Sequence, residues 1–343
     1  MLVNILRMNW KLSCQQILNW QKIVIFGFIC LLVYQKIFKN LGSSDRSTKS
    51  LLFENWPFHS GKSLCAANPP NLTGAIDVDL EVESIEAINQ RFGHLLKQGG
   101  FYAPKNCTAR HRVAIVTPFR DRADQLPIFL KNLHSLLMKQ QIEYGIFVVE
   151  QTPGPQFNRG TLFNVGFVEA MKMRRWDCFI FHDVDLIPLN DHNLYTCPTK
   201  NPRHMAVSMN TFEYVLPYDE YFGGATAFTV EQFKKINGHS NLFWGWGGED
   251  DDVFNRVVNA NYTIERYPKE ISKYIMLSHD VPDSNPDRFN VLHKAKFIYK
   301  TNGLNSVKYH LKNLQIKPTY TWILVDLIPE EMGGVSEQRS RIV

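Results

Sequence analysis

VAIVTPFRDRADQLPIFLKNLHSLL, residues 113–137, places a strand pattern directly before a helical one. Residues 113–119 form a continuous apolar run with the length of a buried strand, and residues 125–141 carry apolar side chains at helical spacing. The alternation continues in three further segments: YGIFVVEQ (144–151) as a strand, TLFNVGFVEAMKM (161–173) as a helix and DCFIFHDVD (177–185) as a strand. This order predicts an α/β fold with a parallel sheet flanked by helices.

Charged and turn-forming residues lie at the ends of the three predicted strands. RDR (120–122) follows the first strand, QTPGPQFNRG (151–160) follows the second, and DVD (183–185) ends the third. In parallel sheets, ligands bind beyond the carboxyl ends of the strands. We therefore expect a binding site where these three segments meet.

The composition suits a globular enzyme. The chain has 343 residues, of which 44% are hydrophobic and 21% charged, enough for one large domain or two closely joined ones. The net charge is only +5, and no run of Lys and Arg interleaved with aromatic residues stands out. We therefore predict no nucleic-acid partner.

The N-terminal region contains one long apolar segment. IVIFGFICLLVY (23–34) would form a helix of about 18 Å, shorter than the hydrocarbon core of a bilayer. Extending it back through Lys22, whose amine can snorkel, to residue 17 gives about 27 Å, enough for a thin bilayer. A cleaved signal peptide is the alternative, but QKIFKN (35–40) offers no small-residue cleavage site. The sequence thus favours an uncleaved anchor, and basic residues on both sides leave its orientation open.

Two features favour an oxidising lumen for the rest of the chain. Three N-x-S/T sequons follow the anchor, at Asn71, Asn106 and Asn261. Four cysteines also follow it: Cys65, Cys107, Cys178 and Cys197. This even number is consistent with two disulfides, and the cysteines lack the paired spacing of a zinc site. Four free buried thiols are the alternative.

The DVD triplet admits two interpretations. In a strand, Asp183 and Asp185 would point to the same face, where they could hold a divalent cation or bind a sugar. The alternative is a turn cap at the end of the strand. The triplet alone does not decide between them, because Asp77 and Asp79 form another DVD with no apolar strand before it.

The second acidic cluster is GGEDDD (247–252), which follows FWGW and precedes the helical pattern VFNRVV. Acidic residues at a helix N-terminus are favoured by the helix dipole, which would explain them structurally. A carboxylate beside a tryptophan could equally act as a general base on a bound hydroxyl. A solvated acidic loop is a third possibility.

Further candidates lie in YIMLSHD (274–280) and in the arginine-containing segments. His279 is a good divalent-metal ligand, whereas the soft thioether of Met276 is unusual for a hard metal and points to a core position. PFRDR (118–122) and FNRG (157–160) supply arginines that suit phosphate and phenylalanines that could stack on a base. Ordinary surface arginines are the alternative.

Eight segments occur in an order that resembles one enzyme family. They are VTPFRDR, FNRGTLFNVGF, FHDVDLIPLNDHNLYTC, YFGGATAFT, FWGWGGEDDDVFNR, MLSH, NPDRFNVLH and GLNSVKY. Together they resemble the β-1,4-galactosyltransferase family, which includes close β-1,4-N-acetylgalactosaminyltransferases. The resemblance runs from about residue 65 to about residue 329.

This resemblance implies a fold, a reaction and a location. The expected fold is GT-A-like, a mixed sheet with flanking helices, preceded by a membrane anchor and a stem. The expected enzyme is a UDP-sugar-dependent, manganese-dependent and inverting β-1,4-glycosyltransferase. It would move galactose from UDP-galactose to O4 of a terminal N-acetylglucosamine on a glycoprotein or glycolipid. The expected location is the Golgi membrane, in a single-pass type II arrangement with a lumenal catalytic domain.

The sequence pattern and the resemblance together divide the chain into five segments. Residues 1–16 would form a cytoplasmic tail, residues 17–34 the transmembrane signal anchor and residues 35–63 the stem. Residues 64–235 would form the nucleotide-sugar-binding part of the catalytic domain. Residues 236–343 would form its acceptor-binding and catalytic part.

The resemblance also assigns residues to the metal, the donor and the disulfides. The manganese ligands would be Asp185, Met276 and His279, so Met276 becomes a ligand by resemblance. The disulfide pairs would be Cys65 with Cys107 and Cys178 with Cys197. The donor site would consist of Pro118, Phe119, Arg120, Asp121, Arg122, Phe157, Asn158, Arg159, Asp183, Val184, Asp185, Tyr221, Trp246 and His279.

The catalytic and acceptor residues come from the second acidic cluster and the segments around it. Asp250 would be the catalytic base, with Glu249 beside it. The acceptor site would consist of Tyr218, Trp246, Gly248, Glu249, Asp250, Asp251, Arg288, Phe289 and Leu292. The segment from about residue 277 to 296, together with Trp246, is expected to close over the bound donor.

Donor choice and catalytic competence are the remaining expectations. Tyr221 matches the family position where a tyrosine crowds the C2 substituent of the donor, which favours UDP-galactose over UDP-N-acetylgalactosamine. The latter donor is the first alternative. A non-catalytic sugar-binding relative and a metal-dependent phosphoesterase are others. Two departures from the family pattern, His182 before DVD and a missing basic residue in MLSH, touch no proposed ligand.

Overall fold

The computed structural model describes residues 61–279 and 284–329. The expected cytoplasmic tail, the membrane anchor and the stem up to residue 60 lie outside the described residues. Across residues 61–279 and 284–329, no helix has both the length and the apolar character needed to cross a membrane.

Eleven strands and six helices make up the described part of the chain. The strands are β1 (Arg112–Phe119), β2 (Glu143–Gln151), β3 (Cys178–His182), β4 (Leu186–Pro188), β5 (Arg203–His204), β6 (Ser208–Met209), β7 (Ala225–Thr229), β8 (Glu265–Arg266), β9 (Lys273–Met276), β10 (His310–Ile316) and β11 (Thr321–Asp326). The helices are α1 (Ile85–Phe92), α2 (Gln125–Lys139), α3 (Arg159–Met173), α4 (Val230–Lys235), α5 (Glu249–Asn259) and α6 (Arg288–Ile298). Short 3₁₀ turns cover Asn210–Phe212 and Leu304–Ser306.

The strands form one large and one small sheet. The large sheet has eight strands in the order β10-β11-β2-β1-β3-β7-β5-β8, and the small one has the order β4-β9-β6. In the centre of the large sheet, β1 pairs in parallel with β2 and with β3. The antiparallel pairs β3–β7, β5–β7 and β10–β11 make the sheet mixed. The expected mixed α/β fold is confirmed, and the predicted series β1-α2-β2-α3-β3 forms its parallel centre.

Helix α3 packs close to the sheet because of one glycine. A Cβ atom at Gly166 would lie 2.2 Å from Cγ1 of Val116 in β1, so any side chain there would push the helix away. The side chains of Val113 to Val116 in β1 and most of α3 are buried, which fixes the helix in this position. Its N-terminus, with Arg159, therefore lies at the carboxyl end of the strands.

The strand predicted over residues 177–185 is shorter, because β3 ends at His182. Asp183 and Asp185 lie in the turn between β3 and β4, where the amide of Asp183 donates to the carbonyl of Gly224 at 3.0 Å. The buried ring of His182 bonds the carbonyl of Asp183 and the hydroxyl of Tyr195, each at 2.8 Å. The departure at His182 thus helps to fix the turn that carries both aspartates.

Both implied disulfides, Cys65–Cys107 and Cys178–Cys197, are present in the structure. Free thiols at these four positions are therefore excluded. Asn71, Asn106 and Asn261 are all exposed, so each sequon is accessible, and their glycosylation stays a prediction.

Candidate active site

Four chain segments meet at the carboxyl end of the parallel strands. They are the turn after β3, the N-terminus of α3, the N-terminus of α5 and the glycine pair before β7. Charged residues at strand ends predicted two of these segments, the turn after β3 and the N-terminus of α3, and the family resemblance added the N-terminus of α5. Their convergence produces a partly buried cluster of one arginine and several carboxylates.

Arg159 is the centre of this cluster. Its Nε and Nη2 donate to the two carboxylate oxygens of Asp183 at 2.6 and 3.0 Å, a bidentate pair. Its Nη1 donates to Oδ1 of Asp250 at 2.7 Å and lies 3.5 Å from Oε1 of Glu249. Burial opposes the charge of Arg159, but Asp183, Asp250 and Glu249 outweigh it and hold its pKa well above the usual range. One guanidinium thus joins the turn after β3 to the first turn of α5.

The carboxylates outnumber the cation that neutralises them. Burial, opposed in part by Arg159 and reinforced by Asp185, raises the pKa of Asp183 to about 7. Burial, together with the neighbouring Asp250, raises the pKa of Glu249 to about 7. The Oε2 atom of Glu249 is buried and finds no hydrogen-bond partner among the described residues. This part of the cleft therefore concentrates negative charge that a ligand proton or cation would relieve.

Helix α5 holds its acidic residues in the first turn, as the dipole argument predicted. Glu249, Asp250, Asp251 and Asp252 occupy that turn. The N-cap residue is Gly248 with φ of 90°, a left-handed conformation that favours glycine and offers no capping side chain. The acids face different neighbours: Asp252 bonds Arg256 at 2.5 Å within the helix, and Asp251 accepts from Tyr218 at 2.9 Å. The first turn of α5 therefore suits both interpretations, since its acidic residues complement the helix dipole and its carboxylates could act on a ligand.

Gly223 makes room for Asp250 beside Tyr221. A Cβ atom at Gly223 would lie 2.3 Å from Oδ2 of Asp250 and 2.8 Å from the hydroxyl oxygen of Tyr221. Both groups therefore approach the same backbone position. Burial, together with Asp250 and Asp183, raises the pKa of Tyr221 well above its usual range, so its hydroxyl stays protonated. Sequence reasoning noted the glycines of YFGGATAFT but did not single out Gly223.

The proposed metal ligands lie together next to this cluster. Nε2 of His279 lies 2.9 Å from Oδ2 of Asp185. Strands β4 and β9 pair Leu186 with Met276, and the amide of Leu277 donates to the carbonyl of Asp185 at 2.7 Å. The pairing of the two strands thus places the backbone of Met276 beside that of Asp185.

The donor set fits one divalent cation. Oδ1 of Asp185 is buried and finds no hydrogen-bond partner in the described chain, so an acceptor is left for a cation. Among residues 61–279 and 284–329, no group of three or more His, Cys, Asp and Glu side chains forms a metal cluster. A site at Asp185 and His279 consequently needs a ligand of another type, and Met276 is the adjacent candidate.

A second contact that the sequence did not predict holds the loop of His279. Gln125, at the start of α2, donates from Nε2 to the carbonyl of Ser278 at 3.1 Å. Gln125 itself is buried. No motif pointed to this residue, because its role depends on two segments that are far apart in the chain.

The residues assigned to the nucleotide differ in their surroundings. The guanidinium of Arg120 lies 5.2 Å from the ring centroid of Phe157 and donates to the carbonyl of Pro155 at 2.8 Å. Asn158 is buried and caps α3, since its Oδ1 accepts from the amide of Thr161 at 2.9 Å. Pro118 is buried within β1, Val184 is buried in the turn after β3, and Asp121 and Arg122 are at the surface or half-buried. Arg120 and Phe157 thus form an accessible edge beside the acidic cluster.

The expected acceptor side surrounds an exposed tryptophan. Trp246 is 54% exposed, and the adjoining glycines 245, 247 and 248 all have positive φ, between 78° and 109°. Its carbonyl accepts from the amide of Asn285 at 3.0 Å, which ties the loop to the start of α6. At that helix start, the guanidinium of Arg288 lies 4.5 Å from the ring of Phe289, which is 66% exposed. Leu292 follows one turn later and is half-buried.

The segment from about residue 277 to 296 was expected to close over the bound donor. Residues 280–283 lie outside the described chain, while residues from Arg288 onward form α6. Closure of the segment therefore stays a prediction, with its C-terminal part a helix.

Comparison with known proteins places the chain in a class of enzymes. The family described as "N-terminal region of glycosyl transferase group 7" matches residues 65–198, and "N-terminal domain of galactosyltransferase" matches residues 203–280. The catalytic domain of Drosophila β1,4-galactosyltransferase 7, solved in complex with xylobiose, superposes with a TM-score of 0.58 at 30% identity. That alignment covers 65% of this chain and 98% of the Drosophila domain. The fold is therefore GT-A-like, and the protein is a glycosyltransferase.

Curated relatives identify the family. β-1,4-galactosyltransferase 4 of Cricetulus griseus is 44% identical over 269 residues, covering 76% of this chain and 76% of the relative. β-1,4-galactosyltransferase 3 of Homo sapiens is 42% identical over 281 residues, covering 81% and 71% respectively. A further structure of the Drosophila enzyme, a variant solved with manganese, UDP-Gal and xylobiose, has a TM-score of 0.52 at 31% identity, covering 66% of this chain and all of that chain. The chain belongs to the β-1,4-galactosyltransferase family, and the expected enzyme class, a UDP-sugar-dependent glycosyltransferase, is confirmed.

Proposed function

We propose that this enzyme transfers galactose from UDP-galactose to O4 of a terminal N-acetylglucosamine on a glycoprotein or glycolipid, with inversion and with Mn²⁺. The observation that carries the proposal is the bridge formed by Arg159, which joins Asp183 to Asp250 in the partly buried cluster. A solved relative that binds UDP-Gal and manganese supports the donor and the metal.

Asp250 is the proposed base. It lies in the first turn of α5, beside the opening left by Gly223 and within reach of the ring of Tyr221. Its carboxylate would take the proton from O4 of the acceptor while that oxygen bonds the anomeric carbon of the donor. The bond between that carbon and the diphosphate oxygen breaks on the opposite face, and UDP leaves. Holding both reactants in line supplies a large part of the rate, since positioning can contribute about 7–11 kcal/mol.

Arg159 and the metal ligands act on the leaving group. The guanidinium of Arg159 would exchange part of its pairing with Asp183 and Asp250 for the diphosphate, because Arg suits bidentate phosphate contacts. This exchange would free Asp250 for the acceptor. Asp185, Met276 and His279 would hold Mn²⁺, which supplies a Lewis acid that neutralises charge on the diphosphate. The base of the nucleotide would lie against Phe157 and Arg120, which already contact each other.

The donor sugar would meet Tyr221 and Asp183. Tyr221 packs next to Gly223 and against the rings of Tyr218 and His204, so its position is well fixed. A fixed tyrosine near the donor leaves little space for an N-acetyl group at C2, which favours galactose. The acceptor would lie between Trp246 and the side chains at the start of α6, where Arg288 and Phe289 offer a cation and an exposed ring.

We also propose that the enzyme is a single-pass type II protein of the Golgi membrane. The apolar segment 17–34 followed by three exposed sequons and two disulfides supports a lumenal catalytic unit. Protease protection of the catalytic unit in sealed Golgi vesicles tests this topology. Digestion of that unit without detergent would contradict it.

A transfer assay tests the activity. The full-length enzyme, in detergent, is given radiolabelled UDP-galactose or UDP-N-acetylgalactosamine and an N-acetylglucosamine acceptor, with Mn²⁺ or with chelator. We expect galactose transfer that depends on Mn²⁺. The product should resist glycosidases that cleave linkages other than β-1,4. A higher rate with UDP-N-acetylgalactosamine would show that this nucleotide sugar, and not UDP-galactose, is the donor. No transfer from either donor would indicate a non-catalytic sugar-binding relative.

A further inference from the structure

A second cavity, whose wall contains none of the residues of the acidic cluster, lies near the beginning of β1. Its volume is about 520 Å³, which is within the range of small-molecule sites. The candidate active site lies at the other end of β1, beyond Phe119, whereas Arg110 and His111 of this cavity precede the strand. The charged and aromatic side chains in its wall are Arg110, His111, Arg203, Glu265, Arg266 and Tyr267.

The wall carries an excess of positive charge. Three guanidinium groups face a single carboxylate, that of Glu265. Its Oε1 already accepts from the amide and from the side chain of Asn201, each at 3.3 Å. Within the described chain, none of the three arginines forms an ion pair with a carboxylate inside 4.0 Å. The cavity therefore has at least one cation more than its own acids neutralise.

Arg203 is the most deeply placed of these cations. It is only 6% exposed, its Nη2 donates to the carbonyls of Leu194 and Thr196, and its guanidinium lies 4.9 Å from the ring of Tyr267. Its Nε is buried and has no hydrogen-bond partner among residues 61–279 and 284–329. Burial lowers the pKa of Arg203, which shows that the buried charge is costly here. The wall of the cavity thus contains a buried cation without a carboxylate partner in the described chain, and its positive charge favours an anion in the cavity.

Arg266 is held in place before any ligand arrives. Its Nη2 donates to the carbonyls of Asp219 and Tyr221 at 2.8 and 2.9 Å, and its Nε lies 3.2 Å from Nδ1 of His204. Arg110 is anchored by a bond of 2.7 Å from its Nε to the carbonyl of Cys65. Guanidinium groups fixed in this way lose little conformational entropy on binding.

We propose that this cavity binds an oxyanion group, a sulfate, phosphate or carboxylate, separately from the donor and acceptor of the transfer reaction. Guanidinium groups suit such groups because they donate two parallel hydrogen bonds to a pair of oxygens. The same chemistry is offered by a free inorganic anion and by the acidic group of a sugar. The volume of the cavity accommodates either of them.

Calorimetric titration of the purified full-length enzyme tests the proposal. The protein is saturated with UDP and Mn²⁺, so that the candidate active site is occupied, and ionic strength is held constant with chloride. The probes are sodium sulfate, methyl β-glucuronide and a 6-sulfated monosaccharide, with the neutral methyl glucoside as a blank. We expect saturable binding of at least one anionic probe and none of the neutral sugar.

Three variants connect the binding to the cavity. Arg110→Gln should weaken it about tenfold, the effect of losing one charge-assisted hydrogen bond. Glu265→Gln should strengthen it, because it removes the one carboxylate that the described residues place in the wall, while an amide oxygen can still accept from Asn201. Arg91→Gln, an arginine of α1 paired with Glu83, removes the same charge elsewhere and should leave binding unchanged.

The probes then distinguish the source of the anion. Tighter binding of an acidic sugar than of sulfate identifies a saccharide ligand, and equal binding identifies a free ion. The absence of binding, or equal weakening by Arg91→Gln and Arg110→Gln, would overturn the proposal. So would binding that occurs only when UDP is omitted.

Discussion

Arg159 donates to Asp250 at 2.7 Å across a sequence separation of 91 residues, while the same guanidinium holds both oxygens of Asp183. The two carboxylates belong to opposite sides of the cleft, one on the turn after β3 and one on the first turn of α5. A single cation therefore fixes the distance between the side proposed to bind the donor and the side proposed to bind the acceptor. Since buried ion pairs are sensitive to the loss of one partner, changes at this bridge should affect the reaction more than distant surface changes.

Replacing Asp250 by asparagine should lower kcat by about 100- to 10,000-fold, the usual contribution of a general base. The side chain keeps its size and can still accept from Arg159, so the fold and the affinity for UDP should change little. Initial rates of sugar transfer and a thermal melt measure the two effects. Asp219→Asn, on an exposed loop, is the matched control and should retain full activity. Unchanged kcat in Asp250→Asn would remove the base assignment.

Met276 offers a test that separates a core position from a metal ligand. Met276→Leu preserves apolar volume, so a residue of the core would tolerate it with little loss of stability. A ligand would not, and we expect Mn²⁺ affinity to fall by at least about tenfold. Electron paramagnetic resonance of free Mn²⁺ during titration measures the affinity independently of activity.

Met205→Leu is the control for this substitution, because Met205 is fully buried in the core and carries the same change. It should leave Mn²⁺ affinity as in the wild type. Equal Mn²⁺ affinity in Met276→Leu and Met205→Leu would show that Met276 is a core residue and not a metal ligand.

The sequence predicted the parallel centre of the fold because that part depends on local patterns. The runs at 113–119 and 144–149 are mostly apolar, and each becomes a strand buried on both faces. The two-residue strands β5, β6 and β8 had no such pattern, since pairing partners rather than composition define them. The mixed character of the sheet was expected through the family resemblance and not from periodicity.

The site was predictable to a similar degree. Charged residues at the ends of the predicted strands indicated Arg159 and Asp183, because such ends collect at one edge of a sheet. Asp250 was assigned to the site through the family resemblance. Gly223 and Gln125 were missed, since a missing Cβ and a bond to a distant carbonyl have no local signature. The turn that holds Asp183 and Asp185 was taken as the end of a strand, because the apolar pattern continues across the turn into β4.

Tyr221→Leu should raise the rate with UDP-N-acetylgalactosamine relative to UDP-galactose. The shorter side chain removes the phenol ring that packs beside Gly223, which would open space at C2 of the donor. A pocket change of this size alters selectivity by about 1–3 kcal/mol, or about 10- to 200-fold. Competition between the two donors, labelled differently, gives the ratio directly.

Phe212→Leu is the control for the donor experiment. The ring of Phe212 lies 6.0 Å from that of Tyr221, and Phe212 is 39% exposed. The substitution therefore removes an aromatic neighbour of Tyr221 that lies outside the proposed pocket. The donor ratio of this variant should match that of the wild type. An unchanged ratio in Tyr221→Leu would mean that other residues set the choice of donor.

Glu249→Gln should stabilise the enzyme, and more so at pH 8 than at pH 5, when UDP and metal are absent. Burial, reinforced by Asp250, raises the pKa of Glu249 from 4.5 to about 7 in the folded state. Between these values the unfolded chain releases a proton that the folded chain still binds, so wild-type stability falls as the pH rises through this window. Glutamine cannot ionise and escapes this loss of stability, which amounts to a few kcal/mol at most.

Thermal melts of both proteins across pH 5–8 measure the difference in stability. Glu86→Gln provides the control, because Glu86 lies in the first turn of α1 but is exposed. A gain in Tm that is the same at pH 5 and pH 8, or that Glu86→Gln reproduces, would show that Glu249 ionises in the folded protein much as it does in the unfolded chain.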